Sequence, residues 1–583
     1  MPYKFEYHKE DKPKNLSQES QDKLASYISD RWDKWDDLRR PNLEIIDAVE
    51  KAIYPSRKSS ANKIDITMPE IYETKETYKA HLWKSWFSTL DTMFDVQGKS
   101  RDDHYKASQQ KAALVDVFRE INLVSKLEIG LDNWVTKGEF IAFINWKTKV
   151  KQVRRKELCP DYENFETEPA TQPASIENGF SENSQAQVDV DSAQYKTPKL
   201  VSDFVLKDEV VYDGPDFTIV TPEAFVFDST KKDNFDACPK IYRSWATYDE
   251  IASNKLYQNH DELKNLCEEN KDNSDNKALK GDQIEILEYW GNIKLNDGTL
   301  LENWVITVAG RKAVVRFEPN PFVLNPFVFA AFLEDPKTKR GISPLYVALP
   351  LNEASTTILN LQLDALKLII NKPYLAPKGS LSGKINIKEG AIIEYDPALM
   401  PKEPIPLDFK DALVGWDFLR FFEEKIESAT GVFKYLTGDT NGLANRTATE
   451  ATGLMQAQGM RISKEIDVLN FRVKVPIIQK IAELMSNFSF DIKEIKITKH
   501  NGDVDFVVID ETVRQGRYEY VIGDTTAISE RKSKLRENLE ILHEFAKHPE
   551  IAPKIRWVEV MKWAFEQLGS ADPNMFIRED IGF

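Results

Sequence analysis

Gly98, Lys99 and Ser100 are the residues of this chain that come nearest to a phosphate-binding loop. Such a loop ends in Gly-Lys-Ser/Thr because the lysine contacts the nucleotide phosphates and the hydroxyl binds Mg²⁺. The loop also needs a glycine five residues before Gly98, and position 93 is Met. Three matching residues arise often by chance, so this pattern gives little support to a nucleotide-driven enzyme.

Three further patterns suggest chemistry but have simpler explanations. Residues 438–442 have the glycines of a phosphate loop without the following Lys-Ser/Thr. Residues 501–505 resemble part of a calcium loop but lack its third acidic position and distal Glu, and their Asn-Gly predicts a hairpin turn. Glu423 and Glu424 are typical of an exposed helix face. With no GxSxG, HxxxH or HExxH pattern, we predict no catalytic residue, no cofactor and no metal site.

Composition restricts the possible classes of protein. The chain has 583 residues, enough for two to four domains, and 41% of them are hydrophobic, which favours a globular protein. Its net charge of −16 argues against tight nucleic-acid binding through a basic face. Cys159, Cys238 and Cys267 are odd in number and far apart, as expected in a reducing cytosol. We expect no signal peptide and no transmembrane span.

The first 340 residues predict helices followed by strands. Periodicity indicates two helices over 15–54 broken at Pro41, and further helices over 70–89 and 102–126. A polar, acidic insert at 160–198 is expected to be a surface loop, because it has too few apolar side chains to form a core. A helix is predicted over 248–269, and strands are predicted over 140–146, 147–153, 200–212, 217–220, 224–228, 241–247, 283–293 and 301–317.

From residue 339 onward, helices dominate the pattern. Ser343 is a good N-cap with Pro344 behind it, and Pro350 restarts a helix that spans 351–371. A glycine-containing, β-like segment over 374–397 separates it from an aromatic helix over 412–428. The remaining predictions are a loop at 438–446, a helix from about 447 to 485 bent near Pro476, strands over 492–499, 504–510 and 517–522, and helices over 529–547 and 555–568.

The two helices 351–371 and 412–428 each carry one apolar stripe and therefore need neighbours. If copies of the chain pack side by side in a ring, those stripes become buried and the helices line a channel. The loop 438–446 would then project inward. The alternative that the residues leave open is an ordinary helical subdomain in which this loop only links two helices.

Several segments, in this order and spacing, resemble the portal (head-to-tail connector) proteins of tailed bacteriophages, in their short-tailed form. The most specific are Arg-Gly-Ile-Ser-Pro-Leu at 340–345, Ala-Thr-Gly-Val at 429–432, and 438–446 followed by Thr-Ala-Thr-Glu at 447–450. Residues 466–488 are similar to the long helix across the portal wing, and 134–146 and 221–228 are similar to other wing segments.

The resemblance implies an α+β portal subunit. Its parts would be a mixed α/β wing over 1–340 with the insert 160–198, stem helices over 343–372 and 412–430, and a small β-containing clip over 373–405. A tunnel loop would follow at 433–447, then a wing helix and strands at 448–525 and a crown-like helical region at 526–583. Twelve copies would form a ring at one capsid vertex in the virion, after synthesis in the host cytoplasm.

The resemblance also implies the partners: double-stranded DNA in the channel, a terminase motor, the major capsid protein and tail adaptor or neck proteins, with no membrane. An acidic ring would let DNA slide, with weak contacts from isolated basic residues such as Arg461 and Lys464. The stem positions are Leu359, Leu363, Leu366, Ile370, Trp416, Leu419 and Phe422. The tunnel-loop positions are Lys434, Gly438, Asn441, Gly442, Asn445 and Arg446, and the clip docking positions are Lys378, Lys384, Lys388 and Glu394.

Two other classes of function stay open at this point. One is a nucleotide-driven DNA-packaging motor or nuclease subunit that uses residues 98–100. The other is a monomeric virion adaptor or scaffold.

Overall fold

The structure is a computed structural model of the full chain. The residues it describes are 17–55, 65–87, 89–165, 198–230, 235–254, 256–260, 263–264, 278–280, 282–294, 300–322, 324–370, 374–375, 398, 405–406, 416–432, 460–498, 504–522, 538–544, 547 and 560–561. Its architecture is α+β, as the sequence predicted. The chain forms two compact units: a large one, residues 1–145 with 215–583, and a small one, residues 146–214.

Helix α1 (Gln18–Ile53) is one 36-residue helix, so the prediction of two helices broken at Pro41 was wrong. Proline in a helix interior costs about 3 kcal/mol because it removes one hydrogen bond and crowds the preceding turn. Helix α1 has buried side chains on both sides of the proline. They are Trp32 and Trp35 before it and Ile46 and Val49 after it. Burial of four large side chains outweighs the cost at Pro41.

Three more helices follow: α2 (Glu70–Trp86), α3 (Arg101–Glu120) and α4 (Leu123–Lys137). The single helix predicted over 102–126 is therefore two helices. Asn122 separates them with a φ of 51°, in the left-handed region that asparagine tolerates better than most residues. Gly138 ends α4 with a φ of 78°.

Strands β2 (Glu139–Phe165) and β3 (Pro198–Ile219) are each continuous where two shorter strands were predicted. They form a three-stranded sheet in the order β10-β2-β3, with β10 at Phe327–Ala331. Strand β2 continues to Phe165, so the insert predicted as a loop from 160 begins as strand. Within the small unit, Asp213 accepts hydrogen bonds from Trp146 Nε1 at 2.8 Å and Thr148 Oγ1 at 2.7 Å.

The large sheet has the order β4-β5-β7-β8-β9, with β6 paired to β7. Its apolar residues and those of α1 form one core cluster that includes Trp32, Leu287 and Ile306. Its strands are β4 (Phe225–Phe227), β5 (Lys240–Thr247), β6 (Leu279–Lys280), β7 (Gln283–Lys294), β8 (Leu300–Ala309) and β9 (Ala313–Pro319).

Two predictions in this region need correction. The strand predicted over 301–317 is the hairpin β8–β9, whose turn places Gly310 and Arg311 at φ values of 59° and 61°. The helix predicted over 248–269 is interrupted: α5 (Tyr248–Ser253) is fixed at its start by a capping box between Thr247 and Glu250, and the described residues 260 and 263–264 are helical again. Asn254 leaves helical geometry after Ser253, so α5 ends there.

The carboxyl-terminal part of the large unit contains helix 460–488, which includes one π-helical turn at Asn470–Lys474 just before Pro476. Strands β15 (Lys493–Thr498) and β16 (Val504–Ile509) form the predicted hairpin, and β17 (Tyr518–Val521) pairs with β1 (Asp95–Gly98). Helix Glu511–Arg514 precedes β17. Of the helices predicted over 529–547 and 555–568, the structure describes helical residues at 538–544 and 560–561.

Candidate functional site in the stem helices and their anchorage

The segment 340–345 anchors the first stem helix (Leu349–Ile370) to the strands before it. Arg340, only 4% exposed, donates from Nη2 to Glu139 Oε2 at 2.8 Å, and Glu139 is 1% exposed. The backbone N–H of Gly341 donates to the other carboxylate oxygen at 2.8 Å. A buried carboxylate thus joins the start of β2 to strand β12 (Gly341–Ile342), which leads into the stem.

Arg39 of α1 brings a second buried guanidinium to the same place. It donates to the carbonyl of Phe225 at 2.8 Å and of Glu223 at 2.9 Å, and it also contacts the carbonyl of Pro222. Arg340 shares the Phe225 carbonyl at 3.2 Å. Burial, together with the nearby Arg340 charge, lowers the pKa of Arg39. Burial raises the pKa of Glu139, although the Arg340 charge and the Gly341 N–H oppose that rise.

Ser343 acts as the predicted N-cap and also fixes the start of this segment against α4. Its Oγ donates to the carbonyl of Val135 at 2.7 Å and accepts from the N–H of Leu345 at 3.2 Å. A 3₁₀ turn (Pro344–Ala348) follows, and the helix proper begins at Leu349 with Pro350 in its first turn, as predicted. A Cβ on Gly341 would lie 2.0 Å from the carbonyl oxygen of Gly138, so only glycine fits there.

The first stem helix is held by polar contacts near its middle. Asn360 exchanges two hydrogen bonds with the backbone of Ile66, each 3.0 Å long, and Thr356 Oγ1 accepts from the N–H of Met68 at 3.1 Å. The predicted stripe is only partly covered within one subunit. Leu359, Leu363 and Leu366 are half-buried, whereas Ile370 is 75% exposed.

The second stem helix (Trp416–Thr430) packs against the first and against the turn Pro344–Ala348. Leu419 and Ile426 are its buried residues, and Phe422 is half-buried. Trp416 begins the helix, and its side chain lies outside the described residues.

Three apolar side chains that sequence reasoning did not single out are also exposed on these two helices. Phe418 is 55% exposed, Phe421 is 49% exposed and Leu361 of the first stem helix is 63% exposed. Their exposure leaves a large apolar area in water on a single subunit. The signal in the sequence is the run Phe418, Leu419, Phe421 and Phe422, which gives this helix an apolar arc wider than the part that is buried in one subunit.

Gly431 and Arg461 are described residues on either side of the segment 433–447 predicted as the tunnel loop. Gly431 ends the second stem helix with a φ of 76°, and Arg461 Nη1 donates to the carbonyl of Ser428 at 3.3 Å. Arg461, suggested above as a DNA contact, therefore caps a helix end in this subunit. The tunnel-loop positions Lys434, Gly438, Asn441, Gly442, Asn445 and Arg446 lie outside the described residues.

The segment 373–405, predicted as the clip, has one strand pairing among the described residues. Strands β13 (Tyr374–Leu375) and β14 (Ile405–Pro406) pair antiparallel and bring the two ends of the segment together. The docking positions predicted within it, Lys378, Lys384, Lys388 and Glu394, lie outside the described residues.

Residues 98–100 do not form a phosphate loop. Gly98 is the last residue of β1 and pairs with Tyr518, and Lys99 N donates to the carbonyl of Arg517 at 2.9 Å. Ser100 is the N-cap of α3, where its Oγ donates to Asp103 Oδ2 at 2.6 Å. A carboxylate therefore occupies the helix N-terminus at which a phosphate would bind.

The described residues contain no group of three or more His, Cys, Asp or Glu residues that could hold a metal ion. No helix among them is long and apolar enough to span a membrane.

The amino-acid sequence of the chain was compared with those of known proteins and protein families. No curated protein matches the chain. A family model described as "Phage SU10 portal protein" matches residues 30–576, which is nearly the whole chain and includes both stem helices and their anchorage. The chain therefore belongs to the phage SU10 portal protein family.

Proposed function

We propose that copies of this portal protein close into a ring, of twelve by the resemblance described above, whose stem helices surround a channel for double-stranded DNA. The observation that carries the proposal is the apolar area left uncovered on the stem. Phe418, Phe421, Leu361 and Ile370 are each about half exposed or more in one subunit. Side chains of this kind in contact with water mark a protein–protein interface.

The anchorage of the stem suits a ring in which every copy must hold its stem helix in the same direction. The buried group of Arg39, Glu139 and Arg340 ties three separate parts of the chain to the start of the first stem helix. A fixed starting direction lets identical copies repeat the same contact around a closed ring.

The charge of the subunit suits passage of DNA better than its retention. Each copy has a net charge of −16, so a ring of them repels phosphate overall. The tunnel loop 433–447, which begins just after Gly431, is proposed to contact DNA through Lys434 and Arg446. The clip is proposed to bind the terminase motor and later the tail adaptor or neck proteins, and the wing to contact the major capsid protein at the portal vertex.

Light scattering and negative-stain electron microscopy of the purified full chain test the ring. Twelve copies of 67.0 kDa give a particle of roughly 0.8 MDa with a central hole. The double variant Phe418→Ser, Phe421→Ser is expected to shift the population toward single subunits. The matched control is Tyr105→Ser, which removes a ring that is 70% exposed on α3, outside the stem. A monomer that persists at high concentration would refute the proposal.

The tunnel loop is tested separately. Deletion of 439–445 is expected to leave the ring assembled while DNA packaging or retention falls, because the deletion spares both anchoring residues, Gly431 and Arg461. Loss of the ring in this variant would show that the loop is structural instead.

A further inference from the structure

A cavity of about 840 Å³ lies in the large unit between the large sheet and helix 460–488. Its volume is within the range of sites that bind ligands, roughly 300–1,000 Å³. Aromatic side chains line part of it, among them Phe227, Phe327 and Phe329. The ring contacts proposed above do not involve these residues.

The lining of this cavity is positively charged, although the chain as a whole is acidic. Four cations line it and two carboxylates do, which leaves an excess of two positive charges. Part of this charge is already paired at the rim. Glu334 Oε1 lies 2.7 Å from Lys339 Nζ, and Glu334 Oε2 lies 3.7 Å from Arg472 Nη1, so one carboxylate serves two cations.

Lys240 is the cation for which the structure offers no countercharge in contact. It is 2% exposed, and its Nζ donates to the carbonyls of Cys238 at 2.7 Å and Asp236 at 3.2 Å and lies 4.5 Å from the centre of the Phe235 ring. No carboxylate of the described residues lies within 4.0 Å of this ammonium. A buried charge without an opposite charge is unfavourable, so an anion that enters the cavity would relieve this cost.

A second cation stands beside it. Lys480 donates to the carbonyl of Asn325, and its Nζ lies 3.7 Å from Asp236 Oδ1. The Asp236 side chain is 68% exposed, so solvent weakens this pair. Lys240 and Lys480 therefore both line this one cavity, next to aromatic side chains.

We propose that this cavity is a docking site for an acidic peptide segment of a partner protein, with a carboxylate at Lys240 and Lys480 and neighbouring apolar side chains against the phenylalanine wall. A peptide is favoured over inorganic phosphate because only a ligand with apolar groups can pack against the aromatic side chains of the lining. Phosphate sites also rely on converging backbone N–H groups or a free helix N-terminus. Pro476 and Lys480, by contrast, lie within the continuous helix 460–488.

The probe is a fluorescein-labelled, amidated peptide, Phe-Ser-Glu-Ser-Phe, titrated against the full-length protein and followed by fluorescence anisotropy. In an extended peptide its glutamate and both phenylalanines share one face. The matched peptide carries glutamine instead of glutamate. We expect the glutamate peptide to bind at least tenfold more tightly than the glutamine peptide.

Variants of the protein locate the site. Lys240→Met is expected to weaken binding at least tenfold and Lys480→Gln several-fold, whereas Lys337→Gln, at an exposed lysine outside the cavity, leaves it unchanged. Lys240→Arg is expected to retain binding and to remove its pH dependence. The affinity of the native protein should fall between about pH 6 and pH 8.5 as Lys240 loses its proton, with Asp236, Cys238 and Lys480 as the other ionisable groups nearest to it.

Three results would overturn the proposal. Equal binding of the glutamine peptide, or no saturable binding of the glutamate peptide, would exclude recognition of a carboxylate. Competition by inorganic phosphate at the same concentration as the peptide would indicate a small-anion site. Loss of binding in Lys337→Gln would place the contact elsewhere. None of these measurements depends on ring formation, so their outcome is independent of the channel proposal.

Discussion

Substitution of Glu139 by glutamine tests whether the buried charge group holds the stem in place. The change keeps the shape of the side chain and one acceptor for the N–H of Gly341, but it removes the one carboxylate among the described residues that is bonded to Arg340. Both guanidiniums stay charged at any accessible pH and are almost inaccessible, at 2% exposed for Arg39 and 4% for Arg340. Breaking a buried ion pair on one side costs roughly 3–5 kcal/mol.

Hydrogen–deuterium exchange measures this cost where it arises. The amide of Gly341 donates directly to Glu139, so its exchange reports local opening of the junction. A cost of about 3 kcal/mol corresponds to exchange that is about a hundredfold faster in the peptide that contains residues 340–345. The thermal unfolding midpoint is expected to fall as well.

Two controls make the result specific. Glu334→Gln removes a carboxylate that lies 2.7 Å from Lys339, but this pair is about one-third exposed, so the expected cost is about 0–1 kcal/mol. Arg340→Met combined with Glu139→Gln should cost less than the sum of the single changes, because the charge left unpaired is then gone. Exchange at 340–345 within about fivefold of the native rate, near 1 kcal/mol, would refute the reasoning.

Three further predictions concern other parts of the subunit. Gly431→Ala is expected to lower stability by about 1–2 kcal/mol in denaturant titrations, because φ is 76° there and a Cβ would lie 3.1 Å from Arg461 Nη1. Ser343→Ala should cost about 1–3 kcal/mol in the same assay, since it removes the cap and leaves the Val135 carbonyl without its donor. Burial lowers the pKa of Lys240 from 10.5 to about 7, so the unfolded chain binds more protons in that window. Stability should therefore rise from about pH 7 to pH 9, by at most about 1.4 kcal/mol per unit, and Lys240→Met should lack this slope.

The sequence predicted the elements that depend on local patterns. The N-cap at Ser343, the restart at Pro350 and the β15–β16 hairpin were all correct, because capping and turn formation depend on a few adjacent residues. The portal family itself was recognised from the order of short segments, and the match over residues 30–576 confirms it.

The errors lie where distant packing decides the outcome. Pro41 does not break α1, because the helix is buried on both sides of it: Trp32 and Trp35 pack in the core cluster of the large sheet, and Ile46 and Val49 are buried after the proline. Asn122 breaks a helix that looked continuous, and a left-handed φ at one asparagine leaves no mark in hydrophobic periodicity. Gly310 and Arg311 were likewise missed as a turn within a run that looked like one strand.

The site residues named from the sequence stay predictions, and the described ones differ in how exposed they are. Helical spacing selected Leu419 and Phe422, but Phe418 and Phe421 are the exposed aromatics, because the apolar arc of this helix is wider than its buried part and periodicity alone does not rank the residues within it. The buried group of Arg39, Glu139 and Arg340 could not be foreseen at all. Its members are 100 or more residues apart, and each looks like an ordinary surface charge in the sequence.

The two hydrogen bonds between Asn360 and Ile66 act as a clamp near the middle of the first stem helix. From Asn360 to Ile370 the helix extends about 15 Å, at 1.5 Å per residue, and Ile370 at its far end is largely in water. A tilt of only about 4° at the clamp would displace that far end by roughly 1 Å over this length. Small adjustments near Ile66 are thus magnified toward Ile370, so in the proposed ring residues far from the channel would set its width beside Ile370.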